Sequence, residues 1–164
     1  MLEQKKKFFT KEVALQKLQS YCAYQERCHQ EVTAKLYDLG MTGDAADQII
    51  AKLIEDNFLN EERFARAYAR GKFRMKSWGK IRIRQELKMR NIPEYSIQQA
   101  MKEVDTEGGY LETLERILKN KATEYDIKDR QKHEKLYAFA LRRGFESEFI
   151  GETLKRLRVE EKEL

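Results

Sequence analysis

The segment WGKIRIRQELKMRNIPEYSI, residues 78–97, decides how the chain is read. Ile83 and Leu87 lie four residues apart and so share one face of a helix, while Arg82, Arg84 and Lys88 point away from it into solvent. Asn91 tolerates left-handed backbone and ends that helix. Pro93 suits the first turn of the next helix, where its missing N–H costs nothing. Ile97, Ala100, Met101 and Val104 give this next helix an apolar face. Upstream, Asn60 can cap a helix that carries Glu61 and Glu62 in its first turn, well placed for the helix dipole. Phe64, Ala65, Tyr68, Ala69 and Lys72 follow at three- and four-residue spacing. Ser77 is the expected cap of the middle helix. Residues 60–104 therefore read as three consecutive helices.

The same pattern recurs on both sides. A shift of 51 residues lays the first third of the chain on the second, and a shift of 53 lays the second on the third. Leu36–Met41, Leu87–Ile92 and Ala140–Phe145 fall in register, with Gly40, Asn91 and Gly144 at the helix stop. Val32, Ile83 and Leu136 share a column, as do Ala46, Ile97 and Ile150, then Ile50, Met101 and Leu154, then Leu53, Val104 and Leu157. Upstream, Val13, Phe64 and Ile117 coincide, as do Ala14, Ala65 and Leu118. The predicted fold class is all-α: three tandem three-helix repeats forming an elongated, curved array in which each unit mainly touches its neighbours. The units are residues 1–59, with a tail of about 1–10, then 60–104, then 105–164. Gly108 and Gly109, the only adjacent glycines, mark either a hinge or a plain helix start.

Composition narrows the class of function. One proline and eight glycines are too few for the turns of an all-β fold. No apolar run spans a bilayer and no secretory leader follows Met1, so no membrane association and a cytoplasmic location are expected. Cys22 and Cys28 are six residues apart and would point about 120° apart on one helix, which disfavours a disulfide. With His29 and His133 as the only histidines and no C-x-x-C pair, no metal is expected, and both thiols read as packing residues. No phosphate-cradling loop, zinc-protease motif or nucleophile elbow occurs, so no cofactor and no catalytic activity are expected.

Charge is distributed unevenly. Residues 1–59 carry net −1, residues 60–104 carry net +7, and residues 105–164 carry net −1. Between Arg63 and Arg90 there are eleven Lys and Arg and one acid, Glu86. Arg70, Lys72, Arg74, Lys76, Lys80, Arg82, Arg84 and Lys88 surround Trp78, which can stack on a base, pack against a guanidinium plane or fill the helix start. Such a field attracts polyanions over a Debye length, so these nine residues are the candidate contacts for DNA or an acidic protein surface.

The stretch LIEDNFLNEERFARAYARGK, residues 53–72, followed by residues 78–101, strongly resembles the RecX family, bacterial regulators of the RecA recombinase. Asn60, Glu61, Arg63, Phe64 and Ala65 carry the first part of the family pattern. Gly79, Ile83, Glu86, Leu87, Arg90, Asn91 and Ile92 carry the second. Arg27, Glu31, Leu36 and Gly40 fit the first-unit pattern, and residues 105–164 fit mainly by helical spacing and by RRGF at 142–145. Asn91 stands where the family more often has Gly, His29 where a small residue is more usual, and residues 1–10 match nothing. The resemblance implies three tandem three-helix repeats. It also implies a monomer that binds the RecA–DNA filament and inhibits filament growth, ATP hydrolysis and strand exchange. The basic unit would face single- or double-stranded DNA or the recombinase. A stand-alone DNA-binding helical module is the other reading that the charge supports.

Overall fold

The structure is a computed structural model and describes residues 9–125 and 129–163. Among these residues all regular structure is helical: α1 (Lys11–Tyr24), α2 (His29–Asp38), α3 (Gly43–Glu55), α4 (Glu61–Lys76), α5 (Lys80–Met89), α6 (Glu94–Glu107), α7 (Tyr110–Ala122), α8 (Asp129–Arg142) and α9 (Ser147–Glu163). They form three consecutive three-helix units, an all-α repeat array.

Each unit has its own core, to which most of the columns that the repeat defines contribute. Leu18, Val32, Leu36, Ile49 and Leu53 are buried in the first. Phe64, Ala65, Phe73, Ile83, Leu87, Ile97 and Val104 are buried in the second. Leu114, Leu118, Ala140, Phe145 and Ile150 are buried in the third. In the second unit α4 and α6 run parallel, packed through the buried core, and Arg66, Arg70 and Arg74 accordingly pair with successive turns of α6. Small side chains at Ala65, Ala69 and Ala100 line this packing and let the two helices approach. Some repeat columns are not buried alike in all three units: Ile50 and Met101 are only partly buried where Leu154 is buried, and the first column differs most. Phe64 is buried with Cys28 of the preceding unit, whereas Val13 is 38% exposed and has no such contact among the described residues.

Helix ends follow the sequence closely. The Asn60 side chain accepts from Arg63 N–H at 2.9 Å and caps α4. Gly40, Asn91 and Gly144 all have positive φ, at 76°, 58° and 93°, as the shared helix stop requires. Two details differ from the sequence reading. Ser77 is not the cap of α5: it ends α4 in the left-handed region (φ 54°, ψ 43°), and Gly79 precedes α5. The helix α6 runs to Glu107, past residue 104, and adds Asp105 and Glu107 to the surface of the basic unit. Cys22 and Cys28 are free and buried, and burial pushes both thiols up, so they stay protonated and inert. No described helix is long and apolar enough to cross a membrane, and no group of three or more potential metal ligands gathers among the described residues.

Candidate functional site

The nine expected contact residues divide into two sets. Arg70, Arg74, Lys80 and Arg84 are ion-paired within the second unit. Arg70 meets Glu103 at 2.8 Å, Arg74 makes a forked pair with Glu107, Lys80 meets Asp105, and Arg84 meets Glu94. Every one of these carboxylates is on α6. They appear in the sequence at four-residue spacing (Glu103, Glu107), the spacing of a single helix face, but nothing in the sequence says that this face lies along α4.

The second set stays uncompensated. Lys72, Lys76, Arg82 and Lys88 form no ion pair among the described residues. Trp78 is half-buried against the second core, edge-on to Tyr68 at 6.4 Å. Its ring also carries the Arg82 guanidinium at 4.1 Å and the Lys72 ammonium at 4.9 Å. Core packing and cation stacking are thus both met by one side chain. Arg90 is held apart from this set, over the Tyr68 ring at 4.8 Å and bonded to Glu86 at 3.0 Å.

The basic unit is joined to the third unit through backbone. The first N–H groups of α5 have no carbonyl partner in their own helix. Gly79 N–H donates to the Arg143 carbonyl at 2.7 Å, Ile81 N–H to the Gly144 carbonyl at 2.9 Å, and Lys80 N–H to the Tyr110 hydroxyl at 2.9 Å. The negative end of α8 therefore faces the positive end of α5, which is favourable for both helix dipoles. Glycine is required on each side of this approach. A Cβ on Gly79 would lie 2.3 Å from the Gly144 oxygen, and one on Gly144 would lie 2.2 Å from the Arg82 Cβ. Tyr110 closes the joint. Its ring packs between Phe73 and Phe145, and its hydroxyl donates to Glu146 at 2.9 Å. Burial pushes the Tyr110 phenol far above its usual range, so it remains a donor. Gly108 and Gly109 lead from α6 into this joint with φ of 74° and 73°, and rotation there would break the bonds just described.

The first and second units meet through side chains. Arg63 bonds Glu26 at 2.6 Å, the Asn57 side chain at 3.1 Å, and the Asn57 and Phe58 carbonyls at 3.0 and 3.3 Å. Cys28 inserts into the second core, and His29 lies 3.5 Å from Glu61. Sequence reasoning singled out Arg63 as a pattern residue and Glu61 as a dipole partner, but not the contacts they make across the junction. Among the described residues the cross-unit hydrogen bonds and ion pairs join adjacent units, first to second and second to third, which is the connectivity of an open array.

Tandem three-helix units with a positively charged middle member place the chain among helical-repeat proteins. Residues 60–101 match the family model described as RecX, second three-helix domain. The chain is 29% identical over 144 residues to the regulatory protein RecX of Prosthecochloris aestuarii, covering 88% of this chain and 93% of that one. It is 35% identical over 94 residues to the regulatory protein RecX of Lactobacillus johnsonii, covering 57% of this chain but only 35% of that longer relative. The fold is shared with the crystal structure of RecX from Lactobacillus salivarius, with a TM-score of 0.76 at 23% identity over 91% of this chain and 97% of the other. The chain is thus similar to regulatory proteins named RecX along most of its length, and its second unit matches their second three-helix domain.

Proposed function

We propose that this protein regulates the RecA recombinase by binding the RecA–DNA filament and limiting its growth, ATP hydrolysis and strand exchange in recombination and DNA repair. It acts by occupancy and not as an enzyme, as a monomer in the cytoplasm. The observation that carries this reading is the match of residues 60–101 to the RecX second three-helix domain. Relatives along most of the chain that are named as regulatory proteins support it. The second unit is the proposed contact. Lys72, Lys76, Trp78, Arg82 and Lys88 face DNA or acidic recombinase surface, and Arg70, Arg74, Lys80 and Arg84 shape that surface through their pairs with α6.

A stand-alone DNA-binding module is the second reading, favoured by the uncompensated cations. Salt separates the two. Immobilised protein should retain purified recombinase in the presence of single-stranded DNA and ATP, and retention should persist to about 0.2 M salt because non-ionic contacts contribute. A pure phosphate binder loses about three orders of magnitude or more in affinity over that range when it makes six or more phosphate contacts. Failure to retain recombinase at any salt, with DNA binding intact, would reverse the order of the two readings.

A further inference from the structure

The third unit, which has no net positive charge, contributes cations to a groove beside the basic unit. A groove of about 330 Å³ runs between the second and third units, lined by Lys76 and Ser77 at the end of α4, Arg116 and Lys121 on α7, and Arg143 after α8. Its two arginines are pre-positioned. Arg116 Nη2 donates to the Ser77 hydroxyl at 2.9 Å, which the left-handed turn at Ser77 presents. Arg143 Nη1 donates to the Lys76 carbonyl at 2.7 Å, and its guanidinium lies 5.1 Å from the Phe139 ring. Neither arginine has a carboxylate partner among the described residues. The one carboxylate in the lining, Glu124, is bonded to Lys121 at 2.6 Å. Four cations against one paired acid leave an excess of three positive charges in a solvent-open groove, where anchored guanidinium groups can fork onto phosphate oxygens.

We propose that this groove is a phosphate-binding subsite that seats the backbone of a nucleic-acid strand. Its length favours a strand over a lone phosphate. Arg116 and Lys121 are five residues apart on one helix, roughly 7.5 Å along the axis, so they reach successive phosphates and not one. The groove also adjoins the Trp78 cluster, since Ser77 precedes Trp78 in the chain and Arg82 crosses to the Arg142 carbonyl at 3.3 Å. The subsite is independent of the recombinase reading, because its test contains only this chain and DNA.

The test is the anisotropy of a fluorescein-labelled oligonucleotide of about 20 thymidines, titrated from about 50 to 200 mM salt. Lys76→Gln with Arg116→Gln removes two lining charges and leaves the Arg143 backbone link intact. Lys155→Gln with Arg158→Gln removes the same charge from exposed positions of α9. At matched helicity and melting temperature, the groove pair should weaken binding about tenfold or more and reduce the salt slope by about 1.4, two single-strand contacts, whereas the α9 pair should cost under about threefold. Arg116→Lys with Lys76 intact, which keeps the charge, should retain the slope. Equal losses in the two pairs, or an unchanged slope in the groove pair, would overturn the subsite. Displacement of the strand by inorganic pyrophosphate should need millimolar concentrations; displacement at micromolar concentrations, abolished by the groove pair, would overturn the strand assignment in favour of a free phosphate.

Discussion

Gly144→Ala is expected to lower stability by about 3 kcal/mol. The native φ of 93° lies where an L side chain is strained, at about 1–2 kcal/mol. The added Cβ also falls 2.2 Å from the Arg82 Cβ and 2.5 Å from its backbone nitrogen. Neither is the far end of a flexible chain, so the two units must part, and forced overpacking costs a further 1–3 kcal/mol or so. Gly40→Ala at the corresponding position of the first unit isolates the dihedral share. Its φ is 76°, but no atom lies within 4 Å of the added carbon, so only about 1 kcal/mol should be lost. At this chain length the two changes should shift thermal unfolding by roughly 6–12 °C and 2–4 °C, followed by circular dichroism. Equal shifts would mean that the joint between the second and third units is not closed by backbone approach.

Arg63→Met should cost about 2 kcal/mol at the other junction. It removes the partner of Glu26, whose Oε2 is already buried without a hydrogen bond, and leaves the Asn57 and Phe58 carbonyls short of a donor. A fully buried pair broken on one side loses about 3–5 kcal/mol. Arg63 is 37% exposed and Glu26 31%, so solvent screens part of that loss. Adding Glu26→Gln should recover some stability in denaturant unfolding, because the stranded charge is gone. A double variant no better than Arg63→Met alone would show that Arg63 serves the carbonyls and not the carboxylate.

The difference between these junctions explains what the sequence could and could not reveal. Helix positions, the stop at Gly40, Asn91 and Gly144, and the columns through Ile83, Leu87 and Ile97 follow from 3.6-residue periodicity and left-handed backbone preference. Both are local properties, so they are legible in one chain. The role of Gly79 is not local. Its φ of −79° suits any residue, and glycine is needed there only because Gly144 approaches from the next unit. The same limit applies to the charge. Counting residues gathers the positive field in residues 60–104, but α4 lies along α6, so Glu103 and Glu107 neutralise Arg70 and Arg74. Arg116 and Arg143, from a unit of net −1, meet Lys76 across the groove instead. Ser77 reads as a helix cap because serine caps helices often. Here its hydroxyl accepts from Arg116 while its backbone turns left-handed.

Recombinase regulation is tested most directly by the ATP hydrolysis rate of purified RecA on single-stranded DNA, measured as this protein is added. The rate should fall progressively with added protein, while the protein alone hydrolyses nothing. An unchanged rate at large molar excess would contradict the account.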